Sequence, residues 1–209
     1  SINSNKNPLS MRFWLIGLGM SYFGALGVFA LQDAMSFLIA WELMSLGGAL
    51  MVAGEHINKD TAKNTFLMLA LLEVGSVALV FGMVAMCIGS GSIEFSTFVQ
   101  GGKNLPEAIQ FFVGILFLIG FGAKLGLLPF YEWFPGAYGS GSGATGALFS
   151  GLILNAALYA MMRVLVYWIP ATTAGFLLGI IAGAIAVISA ILATLYAFQQ
   201  KDWRRLLSL

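Results

Sequence analysis

Apolar residues run along this chain in long blocks separated by short polar ones, and the blocks define the predicted elements. A bilayer-spanning helix needs about 20 mainly apolar residues. Phe13 to Leu31 forms the first such block, between Arg12 and the polar pair Gln32-Asp33, and Ala34 to Gly54 the second. After a polar connection from Glu55 to Lys63, a third block covers Asn64 to Ser90. Gly91 to Asn104, interrupted by glycine, serine and Lys103, reads as a loop. The fourth block begins near Pro106, a residue suited to a first helical turn, stays apolar through Gly122 and reaches Lys124. Gly126, Pro129, Pro135 and Gly136 follow, which predicts a helix broken just after the lysine. Ala144 to Tyr167 and Ala171 to Gln199 are the fifth and sixth blocks, and Gln200 to Leu209 starts a seventh that stops without a cap, as a fragment would. The pattern predicts an all-α, polytopic transmembrane helix bundle.

Composition points the same way and excludes other classes. Only 9% of the 209 residues are charged, against roughly 25% in an ordinary soluble domain. Hydrophobic residues make up 59%, and the mean hydropathy is +0.91. A net charge of +1 leaves no basic excess for nucleic acid. One cysteine, Cys87, and one histidine, His56, argue against a disulfide, an iron–sulfur cluster, zinc or haem. No cofactor is expected in this chain, and any redox chemistry belongs to other subunits. Ser1 to Ser10 is polar and carries no signal-peptide pattern.

The informative residues are the charges inside the apolar blocks: Glu42, Glu73 and Lys124. Each costs about 2.5–3.5 kcal/mol at a helix centre on insertion scales. Such groups face a bundle interior and pair with one another or with water. A carboxylate and a lysine in low dielectric hold each other charged while desolvation opposes both, which is the balance a proton relay needs. The break beside Lys124 adds to this, because unpaired backbone is tolerated in a membrane only where protein or water satisfies it.

Other features read as structural. Asp33 reads as a helix-end or interface residue, while Arg163, followed by Tyr167 and Trp168, and Lys63 read as interface anchors. Gly175, Gly179 and Gly183 place small residues on one face for helix packing. Gly139 to Gly143 resembles a phosphate loop but lacks the following Lys-Ser/Thr, so it reads as a flexible connector. His56 reads as solvated. Alternating the loops between two sides puts Lys6, Arg12, Lys59, Lys63, Lys201, Arg204 and Arg205 on one side and only Lys103 and Arg163 on the other. The positive-inside rule then makes the N-terminus of the segment cytoplasmic, in a cell inner membrane.

Four stretches, in order, resemble a known family. Trp41-Glu42-Leu43-Met44-Ser45-Leu46 is similar to the glutamate helix of antiporter-like membrane subunits, and Gly120 to Pro135 to their lysine helix and its break. Ala147 to Arg163 and Asp202 to Leu209 resemble the next two blocks. The family includes proton-pumping subunits of respiratory complex I, Mrp sodium/proton antiporters and membrane-bound hydrogenases; the GFGAK stretch is most similar to the hydrogenase-4 and formate-hydrogenlyase branch. The resemblance implies one repeat of an inverted-repeat fold, covering about residues 11–168, with further helices over 171–209 of a single transmembrane domain. It also implies that Glu42 and Lys124 form an ion-pair switch. Where the family commonly has a relay lysine or histidine on the next helix, this chain has Asn155. Tyr131 and Tyr138 stand where many members have histidines, leaving residues that order water but do not take up a proton readily near neutral pH.

The expected function is proton translocation through a relay of Glu42, Lys124, Glu73 and Asn155, in a subunit driven by a partner oxidoreductase. Two alternatives stay open: a membrane anchor that does not pump, and an Mrp-type Na+/H+ antiporter subunit. The expected partners are other membrane subunits, the lipid bilayer and H+ or Na+, with no nucleic acid.

Overall fold

Each long apolar block becomes one long helix. The computed structural model describes residues 8–55, 59–201 and 206. Among these, α1 spans Pro8–Ala30, α2 Ala34–Glu55, α3 Lys59–Ser90 and α4 Phe95–Asn104. Then come α5 over Glu107–Leu125, α6 over Trp133–Ser140, α7 over Gly143–Trp168 and α8 over Thr173–Ala197. Six of them, all but α4 and α6, are long and apolar enough to cross a membrane. Large apolar side chains also cover the outside: Phe66, Ile88 and Phe176 are each more than 70% exposed. Lipid is the solvent in which that surface is stable.

The helices pack pairwise in chain order, α1 against α2 and α3 against α5, with α7 and α8 closing onto α5. At Gly17 and Gly47 the backbones of α1 and α2 touch; a Cβ on Gly17 would lie 2.6 Å from the Gly47 carbonyl oxygen. Dispersion between close backbones holds such pairs together where lipid removes the hydrophobic drive. Through the middle runs an aromatic chain in which Trp41 meets Phe37 and Phe121, Phe121 stacks on Phe117, and Phe117 meets Trp168.

Several expectations are corrected. Gly91 to Asn104 is not all loop, because Phe95 and Phe98, one turn apart, are buried against Trp168 and draw the segment into α4. Trp168 is therefore a core residue, although Tyr167 beside it is exposed. Arg163 lies over the Phe95 and Trp168 rings and donates to the Gln32 side chain, tying α7 to the turn before α2. Gly139 to Gly143 is not a flexible connector: its first two residues end α6, Gly143 opens α7, and the Ser142 hydroxyl caps α7 by accepting from the Thr145 N–H.

Pro135 does not break a helix. It sits in the first turn of α6, where its missing N–H has no intrahelical partner to lose. Of the glycine face of α8 only Gly175 is packed within this chain, where a Cβ would lie 2.3 Å from the Pro170 carbonyl oxygen; a Cβ on Gly179 or Gly183 would meet nothing within 4 Å. α8 docks instead through Ala174 and Leu178. Asp33 does end a helix as expected, its carboxylate accepting from the Ser36 N–H at the start of α2. Of the expected seventh helix, Gln200 and Lys201 are described and not helical and Leu206 is helical, while its other residues, with Arg204 and Arg205, and also His56 and Lys6, lie outside the described residues.

Candidate functional site

At the break after Lys124 the freed backbone N–H groups find protein acceptors. Gly126 adopts a left-handed conformation (φ 67°, ψ 27°) and ends α5, its N–H donating to the Gly122 carbonyl. Glycine takes this conformation without steric cost. Leu127 N–H also returns to Gly122 O, at 2.9 Å, and Leu128 N–H donates to Ser189 Oγ of α8 at 3.1 Å. Across the break, the Trp133 indole N–H donates to the Ala123 carbonyl at 2.8 Å. The interruption is thus satisfied by protein on both sides, which is what a membrane interior demands.

Lys124, in the last turn of α5, is 1% exposed. Its Nζ donates to Ser45 Oγ at 2.6 Å and to the Trp41 carbonyl at 3.0 Å, and it lies 3.9 Å from the centroid of the Trp41 ring. Trp41 and Ser45 are one turn apart on α2, so one helix face presents a carbonyl, a hydroxyl and a π face to the ammonium. Ser45 Oγ also donates to Trp41 O at 3.0 Å, which completes the cluster.

The expected direct Glu42–Lys124 contact is replaced by this neutral cradle. Glu42, half-buried on the same helix, acts on Lys124 through space, and so does Glu73 from α3. Glu73 also lies near enough to Glu42 for the two carboxyls to repel, although Glu73 is exposed in this chain. Two carboxyls and one ammonium therefore form a single electrostatic unit across α2, α3 and α5, while only neutral groups touch the ammonium.

The remaining candidates divide. Tyr131 stacks on Tyr196 of α8, with ring centroids 5.6 Å apart, and the Tyr138 hydroxyl is 2.8 Å from Ser150 Oγ. All four line one open cleft of about 440 Å³ between the broken helix, α7 and α8, together with Leu125, Gly126 and Ser189. Asn155 is exposed, and its side-chain amide donates to the Ser150 and Gly151 carbonyls of its own helix, both at 3.0 Å. Those carbonyls lie in a π-helical turn, Phe149–Ile153, where the regular bonding ladder is shifted. Nothing in the geometry joins Asn155 to Lys124.

Sequence reasoning named Glu42 and Lys124 but gave Ser45 no role. The signal was available: a hydroxyl one turn beyond Trp41 and three residues beyond a glutamate inside an apolar block lies on the same helix face as Trp41. Ser189 had no comparable signal, because its partner is a backbone N–H freed by a break elsewhere in the chain.

Comparison with known proteins places this geometry. The chain is 29% identical to hydrogenase-4 component B of Escherichia coli (strain K12) over 195 residues, which are 92% of this chain and 29% of that protein. It is also 29% identical over 195 residues to an NAD(P)H-quinone oxidoreductase chain 4 of Thermosynechococcus vestitus, again 92% of this chain and 36% of that protein. The chain thus spans about a third of the length of these relatives. In three dimensions it superimposes on a chain of the membrane-bound sulfane sulfur reductase, an archaeal respiratory membrane complex, with a TM-score of 0.85 at 21% identity, covering 99% of this chain and 42% of that one. The Mrp complex from Dietzia sp. DQ12-45-1b gives 0.78 at 19% identity, covering 97% and 25%. Residues 32–209 match the model of the family described as NADH:quinone oxidoreductase/Mrp antiporter, TM, and the chain belongs to that family as an antiporter-like, multi-pass membrane segment.

Proposed function

We propose that this chain is the proton-carrying part of an antiporter-like subunit in a redox-driven complex of the cell inner membrane, its N-terminal end facing the cytoplasm. Lys124 is the carrier, Glu42 and Glu73 set its charge state, and the Tyr131–Tyr138–Ser150 cleft holds the water that reloads it. The observation that carries this reading is the fully buried Lys124 ammonium, touched only by neutral groups while two carboxyls act on it from a distance.

The mechanism follows from that separation. A buried ammonium in a neutral cradle keeps its proton while nearby negative charge compensates for lost hydration. A charge change in an adjoining subunit that draws Glu42 away, or shares a proton between Glu42 and Glu73, removes part of that compensation. Lys124 then passes its proton on and is reprotonated from the cleft. A direct salt bridge would have to break first; the through-space arrangement avoids that step. Relatives named as components of a hydrogenase and a quinone oxidoreductase support a redox partner.

A non-pumping anchor is the second reading, favoured by Asn155, which is bonded to its own helix and offers no onward carrier. Glu42→Gln and Lys124→Met in the assembled complex separate the two. The relay predicts intact assembly with coupled proton uptake abolished in this module. An anchor predicts lost assembly or stability with uptake per turnover unchanged in whatever complex remains.

A further inference from the structure

The two halves of α8 meet the bundle differently. Its first turns are fastened to α5: the Thr172 hydroxyl donates to Gln110 Oε1 and the Ala174 N–H to Glu107 Oε1, each at 3.0 Å. Leu178 packs on Gly114, where a Cβ would lie 2.2 Å from the Leu178 Cδ1. The second half, from Ala186 to Tyr196, borders the cleft of about 440 Å³ instead. Two contacts bridge it there: Ser189 Oγ accepts from the Leu128 N–H at 3.1 Å, and Tyr196 stacks on Tyr131. Between the fastened turns and Ser189 lie Gly179 and Gly183, residues that stiffen a helix least.

Ser189 is set apart by where its oxygen goes. Thr194 on the same helix takes the common course for a helical hydroxyl and donates to the Ala190 carbonyl of its own turn, at 2.8 Å. Ser189 Oγ serves a backbone N–H of another segment. That N–H is also set apart: Gly126 and Leu127 return their N–H groups to Gly122 O and stay satisfied within the end of α5, whereas Leu128 depends on α8. A backbone N–H in a membrane interior must keep an acceptor. When Ser189 withdraws, water in the cleft is the substitute, four residues along the chain from Lys124.

We propose that Ser189 is a positioning residue that closes the break beside Lys124 against cleft water, and that α8, swinging about its fastened first turns, withdraws it. With Ser189 in place the Leu128 N–H is held by protein and the end of α5 is dry. With Ser189 withdrawn, water takes the Leu128 N–H and stands beside the carrier, ready to reload it. Movement of α8 and reprotonation of Lys124 are thereby one event, joined through a single hydrogen bond. The role in proton transfer rests on the reading of Lys124 as the carrier; closure of the break rests on the geometry alone.

The test uses the native complex in proteoliposomes and compares wild type, Ser189→Ala, Ser189→Thr and a double variant, Ser189→Ala with Lys124→Met. Hydrogen–deuterium exchange at the Leu128 amide is read at residue resolution by mass spectrometry, with the Gly126 and Leu127 amides as controls. Proton uptake is followed with a pH-sensitive dye before any electron donor is added. In Ser189→Ala, Leu128 exchange and resting proton uptake should both rise about fivefold, as loss of one hydrogen bond does, while the controls stay unchanged. Ser189→Thr keeps the hydroxyl and should restore both. In wild type, turnover should speed Leu128 exchange, which decides the matter even if Ser189→Ala fails to assemble. Raised uptake that survives in the double variant means that the proton bypasses Lys124; the carrier reading then fails while closure of the break by Ser189 stands. Leu128 exchange that neither Ser189→Ala nor turnover changes, or faster exchange with resting uptake unchanged, overturns the proposal.

Discussion

Trp41 holds Lys124 twice, its ring 3.9 Å from the ammonium and its carbonyl 3.0 Å from it. One residue thus supplies both a π face and a backbone acceptor to a buried amine. Ser45, one turn on, adds the hydroxyl at 2.6 Å. Ser45→Ala should therefore destabilise the subunit by about 1.5–3 kcal/mol, the range for a hydrogen bond to a charged group. Denaturant unfolding of the assembled complex measures this. A change near zero would mean that the ammonium does not depend on the cradle.

Gly126 is the turning point of the broken helix. Gly126→Ala forces a Cβ into a left-handed conformation and into the Phe134 ring. The backbone effect alone costs about 1–2 kcal/mol, and the clash adds to it. The expected outcome is a lower melting temperature and reduced assembly, whereas Gly122→Ala, whose Cβ would meet only ordinary contacts with Leu127, should be milder.

Tyr138→Phe tests the cleft. The ring stays stacked on Phe134, while the hydroxyl paired with Ser150 is lost. Reprotonation should slow by about fivefold, the equivalent of one hydrogen bond of about 1 kcal/mol, with assembly unchanged. Single-turnover proton uptake followed with a pH-sensitive dye reads the rate.

Asp33 gives a pH prediction outside the membrane spans. The Ser36 backbone N–H, with the Ser36 side chain adding to it, holds the Asp33 carboxyl below its ordinary value of 3.8. A depressed value contributes stability that is present above the ordinary value and is lost as pH falls through the depressed one. Asp33→Asn keeps a capping side chain and should flatten this acid-side loss while changing neutral-pH stability little. Asp33→Ala should cost about 1 kcal/mol at neutral pH, as loss of an N-cap does. Melting temperature against pH for both variants checks the sign.

Much of the fold was legible because lipid imposes a single rule, a long apolar run for each span, and α1, α2, α3, α5, α7 and α8 all obey it. What periodicity could not reveal was set by contacts distant in sequence. Phe95 and Phe98 become helical only because Trp168 covers them, and Pro135 is harmless only because α6 restarts at Trp133. The π turn that occupies Asn155 leaves no mark in an apolar run. At the site, Glu42 and Lys124 stood out as charges among apolar residues, but the contact partner was not the opposite charge: the ammonium took the carbonyl and hydroxyl of the facing helix. Glu55 opens a polar connection, where a carboxyl passes for a solvated residue, yet it is 4% exposed and its Oε1 accepts from the Ser142 and Thr145 hydroxyls.

The central claim, that Lys124 carries a proton coupled to redox turnover, is tested most directly by the proton-to-electron ratio of the native complex in proteoliposomes, wild type against Lys124→Met. The account predicts an assembled variant that still turns over electrons but moves fewer protons per electron, the deficit belonging to this module. An unchanged ratio in an intact Lys124→Met complex would contradict it.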